Sequence, residues 1–469
     1  IEVCLGEIMK ILFFNLLEKI GVASIAAISS LYAIIPNPNL SIGNNLYIEG
    51  DTTHNWKPGV YTDGILDFNQ VSSMTDVALN VGTGPTKILV TWDTRGDEAW
   101  IGDEYVKAAS CTHVVSKDAS LQNLKIMTSA NSTNGMDGDW EIALETGESG
   151  AMSRGVVVDF AGKSWVRLVP TEPVKNLEEI GVYDMSAGGN DTWFFMGTSI
   201  SQMGLKQFTV DSNFSQLVHA RFGDYYPAMI RGGIGCVTSQ GVVDGLKYYA
   251  EYAGNVKFWA IEMGTNDAWG GSDDNVDVFK RNLQTIIDTA KALGITPIIA
   301  RVMATNPEMA GWQVNQAFLD AVDELTQKNG LPLGPDFFDY FLKHPEELGS
   351  DGVHPANPKG GESMHRLWAE AVSELYKAGY GDEDKTEYVV PHVKHYEVPQ
   401  IQVNNREIDV LSKDNFSVTI LGLMGQVVES FSSSMVGKQA HFTTKAPAGS
   451  YVLVVRSRAK AVSIRINLR

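Results

Sequence analysis

The chain has 469 residues, enough for about three domains at roughly 150 residues each. Asp and Glu number 56 against 37 Lys and Arg, a net charge of −19, which excludes nucleic-acid binding through a general basic surface. With 44% hydrophobic and 20% charged residues, the composition is that of a globular protein, not of a disordered or multi-span membrane chain.

Residues 1–33 read as a signal-peptide region with its true start at Met9. Lys10 and Lys19 precede a mostly apolar, small-residue run from Ile20 to Ile34. That run is shorter than the ~20 residues a bilayer span needs. It gives way after Tyr32-Ala33 to Pro36-Asn37-Pro38-Asn39. The expectation is export to the periplasm, cell surface or medium; a buried helix is the alternative. No second apolar run follows, so no membrane span is expected. The cysteines, Cys4, Cys111 and Cys236, form neither a CxxC pair nor a disulfide framework.

Residues 45–185 read as a β-sandwich of jelly-roll type. Lys87 to Trp92 and Glu179 to Met185 are strand-like. Gly155 to Val169 reads as a hairpin: Val156, Val158 and Phe160 alternate, Ala161-Gly162-Lys163 turns, and Trp165 to Val169 returns. Gly162-Lys163-Ser164 is no phosphate loop, because Val157 stands where that motif needs glycine. Ser186-Ala187-Gly188-Gly189-Asn190 is a short flexible link.

Over 190–380 the pattern alternates strand and helix. Strands are expected at Trp193–Met196, Tyr226–Ile230, Val256–Glu262 and Thr296–Val302. Helices are expected at Ser239–Ala253, Asn275–Leu293, Val314–Gln327 and Lys359–Lys377. Such alternation means an α/β fold, a parallel sheet with helices on both faces and chemistry on loops at the strand C-termini. A charged link at Gly381–Lys385 leads to a third region, 395–469, with strands at Phe416–Ile420, Gln426–Phe431, Tyr451–Val455 and Ala461–Ile466. This small β domain holds nine Lys and Arg against five Asp and Glu, a reversal of sign that marks a separate module.

Three motifs carry chemistry. Met196-Gly197-Thr198-Ser199-Ile200-Ser201 follows the first strand and presents Ser199 on a tight turn, as a nucleophile if a base is near and otherwise as a cap. Glu262-Met263-Gly264-Thr265-Asn266-Asp267 follows the third strand; Asn266 is an amide donor for an oxyanion, or part of an Asn-Asp turn. Ser350-Asp351-Gly352-Val353-His354-Pro355 precedes the last helix. There Asp351 can orient His354, and His354 can take a proton from Ser199; a surface loop is the alternative. His365 reads as structural, His344 as part of a surface segment, Ser201 as a local hydrogen-bonding residue, and Trp269 as either cleft platform or core. No HExxH, EF-hand or dinucleotide fingerprint is present, so no metal or cofactor is expected.

In this order, Ser, Gly-x-Asn-Asp, Asp-x-x-His, the region 190–380 resembles the SGNH hydrolases, the GDSL-type esterase superfamily. The resemblance implies a flavodoxin-like sheet, a catalytic triad of Ser199, Asp351 and His354, and an oxyanion hole of Ser199, Asn266 and a backbone N–H from the block Arg231–Thr238. Two positions depart from the family pattern. Thr198 replaces the Asp of Gly-Asp-Ser, and Cys236 falls where the family usually has Gly, so either Gly235 or Cys236 supplies that N–H.

A β-sandwich ahead of such a domain resembles carbohydrate esterases that deacetylate plant polysaccharide. It implies an exported acetyl xylan esterase-like enzyme whose substrate partner is an acetylated polysaccharide or oligosaccharide. Another SGNH esterase or lipase, or a sugar-binding protein on a lapsed scaffold, is the alternative. The C-terminal domain resembles sorting or anchoring modules of secreted enzymes on the turns Leu423-Met424-Gly425-Gln426 and Pro447-Ala448-Gly449-Ser450-Tyr451. The secretion or cell-surface machinery is its expected partner.

Overall fold

The computed structural model describes residues 34–44, 46–48, 61–62, 64, 73–74, 76–94, 124–146, 153–171, 174–175, 177–205, 213–377, 400–404, 406–411, 416–422, 427–433, 439–457 and 461–468. The expected signal region, Cys4, Cys111, the 381–385 link and the turn at 423–426 lie outside the described residues. The chain divides into two compact units, at 390/391.

Within the first unit, a five-stranded sheet takes the strands Leu46–Ile48, Val77–Asn80, Trp165–Pro170, Leu124–Ser129 and Glu141–Glu145, in that order. A three-stranded sheet takes Leu177–Asp184, Lys87–Thr94 and Ser153–Asp159. Alternate residues of both sheets, among them Leu79, Ile126 and Leu168 from one and Ile88, Val158 and Val182 from the other, bury into one core. The expected hairpin over 155–169 is corrected here. Ser153–Asp159 pairs with Lys87–Thr94, and Trp165–Pro170 pairs with strands of the other sheet. The turn at 161–163, with Gly162 at φ +74°, therefore crosses between sheets. The alternation of Val156, Val158 and Phe160 was inward-facing; it carried no information about which strand is the partner.

The α/β region is built on a five-stranded, all-parallel sheet. Its order is Ala228–Gly233, Thr192–Gly197, Phe258–Glu262, Thr296–Arg301, Leu333–Asp336, which is 2-1-3-4-5 in chain order. Both faces of the central strands are buried, as a sheet covered on both sides requires. Phe194, Met196, Trp259 and Ile261 pack against the helices Val276–Ala292 and Gln316–Asn329. Trp193, Phe195 and Phe258 face Phe214, Trp368 and Tyr376 on the opposite side. Trp193 stacks on Phe258 with centroids 4.2 Å apart.

Asp191, just ahead of the first strand, is buried under this aromatic layer and accepts bonds from Trp193 Nε1–H (2.9 Å) and Tyr376 O–H (2.8 Å). Burial pushes its carboxyl up to about 7 against the pull of those two bonds. Two expected helices are each broken in two. Ser239–Asp244 and Leu246–Ala253 part at Gly245, and Lys359–Ala371 and Ser373–Lys377 part at Val372. Among the described residues no helix is long and apolar enough to cross a membrane.

The link at 186–190 is not loose. Ser186 Oγ accepts from Thr86 N–H (2.7 Å), and Asn190 exchanges bonds with Ile35 (2.9 and 2.8 Å). The two regions are also joined through Arg231, on the edge strand of the parallel sheet. Its side chain is 2% exposed and pairs with Asp93, Nε to Oδ2 at 2.7 Å, and with Glu178 at 3.2 Å. Both acids belong to the three-stranded sheet.

Among its described residues the second unit is all β. A three-stranded sheet (Gln400–Asn404, Glu407–Leu411, Gln439–Thr443) and a four-stranded sheet (Val427–Ser433, Phe416–Gly422, Gly449–Ser457, Ala461–Leu468) share a core of Ile408, Val410, Val418, Ile420, Leu453 and Val455.

Removing one member of a buried ion cluster leaves its partners as uncompensated charges, at a cost of about 3–5 kcal/mol. Arg231→Ala is therefore expected to lose stability of that order in urea denaturation of the full chain. A loss below about 1 kcal/mol, the range of exposed pairs, would show that the cluster is solvated.

Candidate active site

In a 2-1-3-4-5 sheet the strand order reverses between strands 1 and 3, and a crevice opens beyond their C-terminal ends. The three sequence motifs converge there. Thr192–Gly197 ends in a turn at Thr198, and Ser199 begins the short helix Ser199–Gly204. Thr198 is its N-cap, accepting from Ile200 N–H at 3.1 Å. The end of the neighbouring strand comes so close that a Cβ on Gly233 would stand 2.4 Å from Gln202 N, so glycine is required for the approach.

Ser199 Oγ lies 2.8 Å from His354 Nε2, and His354 Nδ1 lies 2.6 Å from Asp351 Oδ2. Asp351 Oδ1 accepts from Val353 N–H (2.9 Å) and His354 N–H (3.0 Å), which fixes the loop and the carboxylate together. Partial burial raises the Asp351 carboxyl, but the bonds from Val353 and His354 outweigh it and hold it below the usual range. In a neutral imidazole, a carboxylate on Nδ1 favours the Nδ1–H tautomer, in which Nε2 is free to accept from Ser199.

Asn266 sits on the loop after Phe258–Glu262 and donates through Nδ2 to Val237 O at 2.8 Å. The amide has two N–H groups, and one of them tethers the neighbouring loop. Asp267 clamps the same loop by accepting from Ser239 N–H (3.0 Å); burial raises its carboxyl against the Ser239 bonds. Among the described residues, Ser199 N–H and Gly235 N–H donate no hydrogen bond.

Cys236 stands at φ +59°, a left-handed conformation that costs a residue with a Cβ about 1–2 kcal/mol. It is disulfide-bonded, and its partner lies outside the described residues. With its sulfur in a disulfide, Cys236 offers no thiol nucleophile.

Glu262, the last residue of its strand, is buried directly beneath the Ser199 turn and accepts from Thr198 and Ser201. Burial pushes its carboxyl up to about 7, with those bonds pulling the other way. The sequence shows Glu262 only as the first letter of a motif. Its role follows from the parallel register that sets it opposite Gly197. His365 is buried; its Nδ1 accepts from Phe214 N–H (3.2 Å), and burial, aided by the Arg231 charge, pushes it down to about 3. His344 lies against Tyr340 at the surface.

Trp269 is 58% exposed and meets Trp312 with centroids 5.3 Å apart. Trp312 belongs to a loop whose Asn306 N–H donates to Gly352 O (2.7 Å), between Asp351 and Val353. The segment leading to Trp312 is thus tied to the loop that carries His354.

No protein-family model matches the chain, and no curated protein matches it. Among solved structures it is similar to a lipase/acylhydrolase from Enterococcus faecalis, at 20% identity over 39% of this chain and 95% of that one, TM-score 0.33. It is similar to a protein from Bacillus subtilis at 12% identity over 74% and 94%, TM-score 0.38. A variant of an acetyl xylan esterase from Geobacillus stearothermophilus aligns at 16% identity over 39% and 94%, TM-score 0.30. The chain resembles the SGNH hydrolases in the residues already named, Ser199, Asn266, Asp351 and His354.

The arrangement makes Ser199 the hydroxyl that an aryl fluorophosphonate should attack. Intact-mass analysis is expected to show one adduct, mapped by peptide sequencing to Ser199 and absent in Ser199→Ala. Labelling that persists in Ser199→Ala would mean the hydrogen-bonded chain does not activate this oxygen.

Proposed function

We propose that this chain is an exported serine carboxylic ester hydrolase of SGNH type that removes O-acetyl groups from a xylan-like plant polysaccharide. The observation that carries the reading is the unbroken chain from Ser199 Oγ through His354 to Asp351, at 2.8 and 2.6 Å. Ser199 Oγ attacks the acetyl carbonyl as His354 Nε2 takes its proton, and Asp351 holds the resulting imidazolium. The oxyanion is met by Ser199 N–H, Gly235 N–H and the Asn266 amide. The sugar hydroxyl leaves with the proton from His354, giving an acetyl-enzyme. Water, deprotonated by His354, then releases acetate and restores Ser199.

Three further observations support the finer parts. The Trp269–Trp312 pair offers aromatic faces of the kind sugar rings stack on, and the segment leading to Trp312 is tied to the loop of His354. A disulfide at Cys236 suits an oxidising compartment, as the apolar N-terminal stretch does. The basic end of the C-terminal domain suits an acidic export component or surface glycan.

Acetate release from acetylated xylan and from an aryl acetate is the direct test, with wild type and Ser199→Ala side by side. Release by wild type alone is expected. Binding of the polymer without release from either ester would instead favour a sugar-binding protein on a lapsed scaffold.

Trp269→Ala and Trp312→Ala are expected to raise KM for acetylated xylo-oligosaccharides about tenfold, the equivalent of ~1.4 kcal/mol of lost stacking. kcat/KM on the aryl acetate should change far less. Equal losses on both substrates would remove the platform from the reading.

A further inference from the structure

Glu262 sits directly beside Gly197 in the parallel register, at the point where the first strand turns into the Ser199 helix. Four donors from that turn converge on one of its carboxylate oxygens, Oε2. They are Thr198 N–H (3.1 Å), Thr198 O–H (3.0 Å), Ser201 N–H (3.3 Å) and Ser201 O–H (3.1 Å). The other oxygen, Oε1, is buried and has no hydrogen-bond partner. Burying a carboxyl group is costly, and here everything that compensates lies on one side. Gly197 makes the convergence possible: a Cβ there would stand 2.2 Å from Ser201 Oγ and 2.9 Å from Glu262 Oε2.

The pattern brackets Ser199. Residues before and after it are tied to one atom, while Ser199 Oγ goes to His354. The Thr198 hydroxyl donates to Glu262 and accepts from Ile200 N–H, so an acceptor at 262 also sets the direction of the hydroxyl that caps the helix.

We propose that Glu262 is a positioning residue for the nucleophile. Its Oε2 fixes the turn from Thr198 to Ser201, aiming Ser199 Oγ at His354 and Ser199 N–H into the crevice. The inference rests on Ser199 being the nucleophile. Glu262 touches neither substrate nor proton in the reaction; it acts through the backbone and hydroxyls of its two partners. What it must supply is an acceptor at a given place, and its charge is incidental. That separates it from an electrostatic role, because glutamine keeps a carbonyl oxygen at the same reach while aspartate keeps the charge and draws the acceptor back by one methylene.

The test uses the full chain and compares wild type, Glu262→Gln and Glu262→Asp. Three quantities are read: kcat and KM on an aryl acetate, the rate of Ser199 phosphonylation, and the thermal midpoint. Misplacement of a reacting group by about 1 Å costs on the order of 100-fold. Glu262→Asp is therefore expected to lose about that factor in kcat and in phosphonylation, with KM nearly unchanged. Glu262→Gln should stay within about tenfold of wild type.

The inference is overturned if a folded Glu262→Asp keeps wild-type kcat, or if it outperforms Glu262→Gln. If Glu262→Asp does not fold, Ser201→Ala decides, since it removes one donor and keeps the carboxylate. A fall in kcat of about tenfold is then expected, and an unchanged kcat overturns the proposal. A wild type that hydrolyses no ester and takes no phosphonate overturns the esterase reading and this inference with it. An active wild type with unaffected variants overturns this inference alone.

Discussion

The active region depends on how closely three backbone segments approach one another at the top of the parallel sheet. Gly197 and Gly233 have no room for a side chain, because Ser201, Glu262 and Gln202 occupy the space a Cβ would take. That crowding is what lets a buried carboxylate reach the turn carrying Ser199 from below. It also brings the end of the second strand against the first helix, with Gly233 and Gly235 both close to Gln202. Reactive geometry on loops is only as good as the rigid elements beneath it. Here the loops rest directly on strand ends.

From this constraint the division of labour follows. In the proposed reaction the first strand leads to Ser199, the second to the turn at Gly235, the third to Asn266 and the buried Glu262, and the segment before the last long helix carries His354 and Asp351. Asn266 and Asp267 have a structural part as well. They clamp the loop of the second strand through Val237 and Ser239, and Asn282 reaches Ser239 Oγ at 3.1 Å. Cys236 keeps a left-handed backbone with a Cβ in place, so the fold tolerates a small local strain to shape that turn.

Much of this was legible in the sequence because the relevant signals are local. Buried strands such as Thr192–Gly197 announce themselves as apolar runs. Ser199, Asn266, Asp351 and His354 stand in a fixed order on loops after strands or before a helix. What could not be read depends on partners distant in sequence. The edge strand Leu333–Asp336 is interrupted by Gly334 and Pro335 and has no apolar run to betray it. The strands around Gly162 alternate as a hairpin would, and only their partners reveal that they lie in separate sheets. The breaks at Gly245 and Val372 leave apolar periodicity intact on both sides. Glu262 has no sequence signature of its own, since its meaning comes from the residue opposite it in the register.

Arg231 carries a consequence for how such a chain can be divided or recombined. Its guanidinium belongs to the parallel sheet, and both its carboxylate partners, Asp93 and Glu178, belong to the sandwich. A fragment cut at the 186–190 link would retain the cation and lose both anions, exposing or stranding a charge at the sheet edge that leads into the turn at Gly235. The α/β region is therefore not a portable cassette. A transplant onto another scaffold would need an acidic pair at matching depth, or an apolar residue in place of Arg231.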